Sequence, residues 1–276
     1  MKSSPGRRFA AWAFCLVALS LGQAGSAQSE TLRIGGTGAS TEFMKMLGAA
    51  FEAQEEGATV EVISGLGSSG AIEATYDGAI DIAISARPLK PGEAELGLSG
   101  APFARTPYGM VTSYPRPGNI EAKDVAGFFS SVDSRWPDDT PVRVVLRPLS
   151  ESDTTLLGQT FPGMAEAMET VRERIDVSVA GTDQDNLTMA SDIYGSLVGA
   201  SLAQVLTEKR PLHFLSIDGQ EPTVDNLERG LYPYQKLFYI VQPAEPTALA
   251  ERFISFVRSD AGVALLREAA CLPIAN

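Results

Sequence analysis

The strongest constraint on the fold is a repeated strand–turn–helix pattern near the amino end. The apolar segments LRIGG and TVEVIS each lead into a turn rich in glycine and hydroxyl residues, GTGAS and GLGSSG, and a third apolar segment, AIDIAIS, follows. Between the first two, residues 41–54 carry apolar side chains at helical spacing. This alternation predicts an α/β fold with mixed, mainly parallel sheets and helices on both faces.

The first 27 residues have a different composition from the rest of the chain. A basic start precedes the apolar run FAAWAFCLVALSLG, and the small residues GSA follow at 25–27. This order is typical of a cleaved secretory signal peptide, and the run is short for a membrane anchor, which is the alternative. We expect cleavage after Ala27 and a periplasmic mature protein. Its one remaining cysteine, Cys271, cannot form an internal disulfide.

The charge of the mature chain excludes some partners. The net charge is −12, and loss of the three basic residues of the leader makes it −15. Such a surface repels nucleic acid and anionic lipid, so neither is expected as a partner. A small anion remains compatible, because a buried site depends on local donors and dipoles rather than on total charge.

The turn GLGSSG at 65–70 matches G-x-G-x-x-G, the glycine pattern of a dinucleotide-binding turn. That site needs an acidic residue about 20 positions later to hold the ribose. Here the next strand ends in Ser85, Ala86 and Arg87, and only Arg87 suits a nucleotide, through a 2′-phosphate. We therefore expect no cofactor, and an exported reductase is kept as an alternative.

Three strand-to-helix corners favour an oxyanion instead. Hydroxyl and basic side chains stand at these corners: Ser40 with Thr41, Ser68 with Ser69, and Arg147 with Ser150 and Ser152. The first turn of a helix has unpaired N–H groups and partial positive charge, to which hydroxyls add donors. A single corner of this kind is usually only a helix cap. Three corners that converge on one cleft predict a cage for an oxyanion.

Longer segments resemble a known family. GLGSSGAIEATYDGAIDIAISARPLKPGE resembles the first-lobe signature of the periplasmic phosphate-binding proteins of ABC transporters. KDVAGFFSSVDSRWPDDTPVRVVLR is similar to the family's helix, tryptophan loop and strand before its binding arginine. IDGQEPTVDNLERGLYPYQKLFYIVQ and AGVALLREAACLPI resemble its closing segments. The resemblance covers nearly the whole mature chain and implies a two-lobe periplasmic-binding-protein-like fold with a ligand cleft between the lobes.

The resemblance also implies a function. It indicates a monomer that captures inorganic phosphate, or a similar tetrahedral oxyanion, for an ABC transporter permease in the inner membrane, without enzyme activity, metal or cofactor. The predicted ligand-binding residues are Ser40, Thr41, Ser68, Ser69, Arg87, Arg147, Ser150, Ser152 and Asp153. The alternatives are a protein that binds or senses another small anion, and an exported enzyme that acts on a phosphorylated substrate.

Two departures from the family pattern bear on the ligand. Many family members carry an aspartate that accepts a proton from phosphate, where this chain has Ala86. Glu151 and Asp153 stand where the family has neutral donors. An ionised carboxylate repels an oxyanion unless it accepts a hydrogen bond from a protonated ligand or points away. We expect one of the two acids to be the missing acceptor; the alternative is a changed ligand.

The predicted domain organisation follows from the same resemblance and from the position of the breaker clusters. It comprises a signal peptide at 1–27, lobe one at 28–113 plus 235–276, and lobe two at 114–234. The segment TDQDN at 182–186 is predicted to cap a helix rather than to bind calcium, since it lacks the glycine and closing glutamate of a calcium loop. The single histidine, His213, is predicted to be structural.

Overall fold

The computed structural model describes residues 1–2 and 30–274. The predicted signal peptide therefore lies outside the described residues, apart from its first two positions. Among the helices of the described residues, none combines the length and the apolar composition needed to cross a membrane.

Short strands and helices alternate along most of the chain. The strands are β1 Glu30–Gly36, β2 Ala58–Ile63, β3 Ile82–Ser85, β4 Leu98–Thr112, β5 Asn119–Ile120, β6 Arg143–Leu146, β7 Ser178–Val179, β8 Ser196–Ser201, β9 His213–Phe214, β10 Ser216–Ile217, β11 Gln235–Pro243 and β12 Leu272–Pro273. The helices are α1 Thr41–Glu52, α2 Gly67–Tyr76, α3 Pro91–Glu95, α4 Val125–Ser130, α5 Ser152–Thr160, α6 Met164–Arg172, α7 Asp183–Asp192, α8 Leu202–Thr207, α9 Val224–Glu228, α10 Ala248–Val257 and α11 Asp260–Glu268.

The main sheet is mixed. Its path is β2-β1-β3-β11-β4-β8-β6-β7, and β12 and β9 also pair with β4. Pairing is parallel from β1 to β2 and β3, and from β6 to β7 and β8, whereas β11 is antiparallel to both β3 and β4. The parallel groups at either end of the sheet are those that the strand–turn–helix pattern predicts.

Strand β4 joins the two halves of the sheet. Its first part, Leu98–Pro107, pairs with β11, and from Tyr108 onward it pairs with β8. Lobe one is therefore built around β1, β2, β3 and β11, and lobe two around β6, β7 and β8. The domain boundaries given above remain a prediction.

Separate apolar cores lie in the two halves. In lobe one, α1 packs Phe43 against Phe238 of β11, edge to face, with ring centroids 5.0 Å apart. In lobe two, Tyr108, Trp136 and Leu197 lie in another buried cluster. Full burial of a large apolar side chain contributes about 1.5–3 kcal/mol, so each core stabilises the loops that its own strands carry.

The end of β1 leaves no space for a side chain at Gly36. Gly36 pairs with Ile84 of β3, and a Cβ at Gly36 would overlap the Ile84 carbonyl, which accepts the Thr37 N–H at 2.8 Å. We expect Gly36→Ala to lower the free energy of unfolding by roughly 1–3 kcal/mol, because a well-packed interior resists added volume. Urea denaturation measures this change. Gly92→Ala, at a position with no atom within 4 Å of the added Cβ, is the control, and an equal effect in both variants would contradict the prediction.

Candidate functional site

A small polar cavity lies where loops of the two lobes meet. Its volume is about 40 Å³. It is lined by Gly38, Gly65, Leu66, Gly67, Arg147, Glu151, Gly181, Thr182, Asp183 and Gln184. These residues follow the carboxyl ends of β1, β2, β6 and β7, which is where ligands bind in open α/β sheets. A cavity needs roughly 10–15 Å³ to hold a single water, so this one has room for a few ligand oxygens.

Arg147 is the basic group of this cavity. It follows β6 directly, and its side chain is 8% exposed. One terminal nitrogen donates a hydrogen bond to the Ala180 carbonyl at 2.6 Å, and the other lies 3.2 Å from Glu151 Oε2 and 3.4 Å from Asp183 Oδ1. The Nε atom has no hydrogen-bond partner among the described residues. The carboxylates of Glu151 and Asp183 therefore already interact with the guanidinium to which an anion would bind.

The amino end of α2 supplies backbone donors from lobe one. This helix begins at Gly67, inside the turn GLGSSG, so Ser68 lies in the first helical turn. The N–H groups of that turn have no partner within the helix. The Ser68 hydroxyl accepts a hydrogen bond from the Ala86 N–H at 2.9 Å and lies 3.4 Å from Ser152 Oγ of α5. Ser68 and Ser152 thus contact each other across the lobes.

Asp183 lines the cavity but is not among the residues predicted from the sequence. It is the first residue of α7, and its Oδ2 accepts hydrogen bonds from Thr37 Oγ1 and from the Ala39 N–H, both at 3.0 Å. The predicted cap is confirmed, since Thr182 and Asp185 form a capping box at this helix end. The sequence showed only that Asp183 stands at an acidic helix start. It did not show that Asp183 contacts Thr37, which is 146 residues away.

The acids beside Arg147 differ in their ionisation. Burial raises the pKa of Asp183, but the charges of Lys236 and Arg147 and the hydrogen bonds from Thr37 and Ala39 outweigh it, so this pKa lies below its usual value. Burial raises the pKa of Glu151 above its usual value, against the opposing charge of Arg147. Asp183 therefore holds its negative charge more firmly than Glu151 does.

Asp153 does not line this cavity and is paired with a lysine. The Lys236 ammonium is fully buried and contacts Asp153 Oδ1 at 2.5 Å. Burial raises the pKa of the Asp153 carboxyl even with Lys236 beside it. Because this carboxylate is already paired with Lys236, it is a poorer candidate than Glu151 for the acceptor of a ligand proton.

Arg87 is held by a carboxylate of its own loop. Its two terminal nitrogens donate to both oxygens of Glu93 at 2.8 and 2.7 Å, and one of them also donates to Ser69 Oγ at 3.0 Å. The hydrogen bond from Arg87 lowers the pKa of Glu93. Together with Ser152, Arg87 lines a separate groove of about 410 Å³.

Of the nine predicted ligand-binding residues, only Arg147 lines the cavity. The Ser40 hydroxyl donates to the Thr37 carbonyl within its own turn at 2.8 Å, and Ser150 is exposed. Arg87 and Ser152 line the separate groove, and four further predicted residues line neither the cavity nor that groove: Thr41, Ser68, Ser69 and Asp153. The loops converge as predicted, but glycines, Glu151, Asp183 and Gln184 form the wall. In the described ranges, no group of three or more His, Cys, Asp or Glu residues is arranged to hold a metal ion.

Comparison with known proteins gives the family of this chain. The model of the PBP superfamily domain, PBP_like_2, matches residues 21–261. The chain belongs to this superfamily. It is a family of solute-binding proteins, and the predicted α/β two-lobe fold class is confirmed. No curated protein matches the chain.

Solved structures support the fold at low sequence identity. A putative phosphate ABC transporter substrate-binding protein with bound phosphate from Clostridium perfringens is 18% identical, with a TM-score of 0.77, covering 89% of this chain and 100% of that one. An ABC-type phosphate transport receptor from Vibrio cholerae is 20% identical, with a TM-score of 0.63 and coverage of 89% and 100%. The CcmR regulatory domain of Synechocystis, in complex with 2-PG, is 15% identical, with a TM-score of 0.55 and coverage of 84% and 96%.

Proposed function

We propose that this protein captures phosphate in the cleft between its lobes and delivers it to an ABC transporter. Two of the structural neighbours are phosphate-transport proteins, one of them with bound phosphate, which agrees with the resemblance of the sequence motifs. The proposal includes export to the periplasm by the leader at 1–27, action as a monomer, and a permease of the inner membrane as partner.

The observation that carries this proposal is that Arg147 and the amino end of α2 line the same cavity. A buried guanidinium presents several donors in a fixed plane and suits a tetrahedral oxyanion. Gly67, the first residue of α2, lines the cavity from the other lobe, and the N–H groups of a first helical turn have no partner within the helix and add partial positive charge. An oxyanion in this cavity would therefore receive donors from both lobes.

Glu151 is the proposed acceptor for the ligand proton. It lies on the cavity wall, and the place where a Cβ at Gly67 would sit is 3.7 Å from Glu151 Oε2. At neutral pH phosphate carries a proton and sulfate does not. A carboxylate accepts a hydrogen bond from the first and repels the second. This role of Glu151 makes the cleft selective for phosphate.

Titration calorimetry at pH 7 with phosphate and with sulfate tests both proposals. We expect wild-type protein to bind phosphate with micromolar or tighter affinity and to prefer it over sulfate. In Glu151→Gln the phosphate-to-sulfate ratio of affinities should fall at least tenfold, because a neutral amide no longer repels sulfate. Glu169→Gln, at an exposed position of α6, is the control and should leave the ratio unchanged.

Two results would contradict these proposals. Absence of phosphate binding by the wild-type protein would refute the proposed function. An unchanged ratio in Glu151→Gln would refute the role of Glu151 alone.

A further inference from the structure

The lobe-one loop that follows β1 is already bound by a carboxylate of lobe two. Asp183 is buried, and both of its oxygens face donors: Oδ2 accepts from Thr37 Oγ1 and the Ala39 N–H, and Oδ1 lies 3.4 Å from Arg147. A hydroxyl, a backbone N–H and a guanidinium are also the groups that bind an oxyanion. The carboxylate thus has the donor set that a tetrahedral ligand uses.

Neighbouring contacts fix α7 against this loop. The Gln184 side-chain amide donates to the Gly38 carbonyl at 2.8 Å, and the Gln204 amide donates to the Asp183 carbonyl at 3.1 Å. A Cβ at Gly38 would lie only 2.8 Å from Asp183 Cβ, so the approach depends on glycine at this position. The start of α7 is therefore seated closely on lobe one.

We propose that Asp183 is a built-in competitor of the ligand and determines the affinity of the cleft. This inference rests on the proposed function. The contact of Asp183 with Thr37 and Ala39, here named the carboxylate clamp, holds the lobes together when no oxyanion is bound. An incoming oxyanion reaches the Thr37 and Ala39 donors only when Asp183 leaves them. The carboxylate that remains nearby also repels a second negative charge.

If Asp183 competes with the ligand, its replacement should change the phosphate affinity in the opposite direction from that expected for a supporting role. If Asp183 accepted a proton from the ligand or only supported Arg147, its replacement would weaken phosphate binding. If it competes, Asp183→Asn should bind phosphate at least tenfold more tightly than wild type, because a neutral amide is a weaker acceptor and repels no anion. Calorimetry with inorganic phosphate at pH 7 measures this change.

Asp192→Asn is the matched control. Asp192 is exposed at the other end of α7, so this variant removes the same charge without touching the clamp. We expect its phosphate affinity to stay within about twofold of wild type. Equal tightening in both variants, or unchanged or weaker binding in Asp183→Asn, would overturn the proposal.

Small-angle scattering in phosphate-free buffer gives a second readout that does not depend on the ligand. We expect Asp183→Asn to have a larger radius of gyration than wild type and to contract on addition of saturating phosphate. Gln184→Ala, which removes the contact with Gly38, should change the radius in the same direction by less. If no variant binds phosphate, the proposed function fails, and expansion in phosphate-free buffer still supports the clamp. An unchanged radius of gyration in both Asp183→Asn and Gln184→Ala would overturn the carboxylate clamp.

Discussion

Replacement of Lys236 by methionine is expected to lower the free energy of unfolding by about 3–5 kcal/mol at pH 7. Lys236 is fully buried, and Asp153 is its ion-pair partner at 2.5 Å. Methionine fills a similar volume but leaves the Asp153 carboxylate without its cation in a site of low dielectric constant. The cost comes from that uncompensated charge rather than from lost packing.

The pH dependence of the loss identifies its cause. Without Lys236 the pKa of Asp153 in the folded state rises further above its unfolded value. The folded state then binds more protons than the unfolded state between these two pKa values, so the stability of Lys236→Met falls as pH rises through that window. Urea denaturation between pH 5 and pH 8 measures this slope. We expect Asp153→Asn in the Lys236→Met background to recover much of the loss and to remove the slope.

Lys123→Met is the control for this variant. Lys123 forms an ion pair with Glu121 at 2.6 Å, but both side chains are exposed. Exposed pairs contribute little to stability, so we expect almost no change. A loss in Lys236→Met no larger than that in Lys123→Met would contradict the role assigned to the buried pair.

Replacement of Arg147 by methionine is expected to weaken phosphate binding at least 100-fold, or about 2.7 kcal/mol. The variant removes the guanidinium donors that the proposed site offers to the anion, and a charge-assisted hydrogen bond contributes roughly 1.5–3 kcal/mol. It also leaves Glu151 and Asp183 without the guanidinium that balances them. Calorimetry on protein shown to be folded by circular dichroism measures the effect.

Two further variants separate charge from geometry at this position. Arg147→Lys keeps the charge but loses the planar fork, so we expect an intermediate loss of affinity. Arg143→Met removes an exposed charge from the other end of β6 and should bind phosphate as wild type does. Near-wild-type affinity in Arg147→Met would refute the placement of the anion beside this residue.

Local patterns in the sequence predicted the parts of the fold that depend on local physics. β1 and β2 appeared as apolar runs ending in glycine-rich turns, β3 appeared as the apolar run that follows them, and the helix predicted over 41–54 is α1. Arg147 was found because it follows a buried strand directly. The 15-residue strand β4 was missed, since Pro102 and Pro107 within it are typical of turns.

Which residues line the cavity could not be predicted from local sequence patterns, because it depends on contacts between residues far apart in the chain. Helix α2 starts at Gly67 although glycine and serine favour helices weakly, because its first turn is anchored by the contacts of Ser68. Asp183 had the sequence signature of a helix start and nothing more. The Ser40 hydroxyl donates to the Thr37 carbonyl of its own turn, and its role as a ligand stays a prediction.

The position of β11 between β3 and β4 has a consequence for biogenesis. During vectorial synthesis, β3 and β4 emerge more than 120 residues before Gln235–Pro243, the strand that separates them, exists. The first lobe therefore cannot complete its sheet until nearly the whole polypeptide has been made. The cavity between the two halves, which depends on the loops of this sheet, can therefore form only late in synthesis.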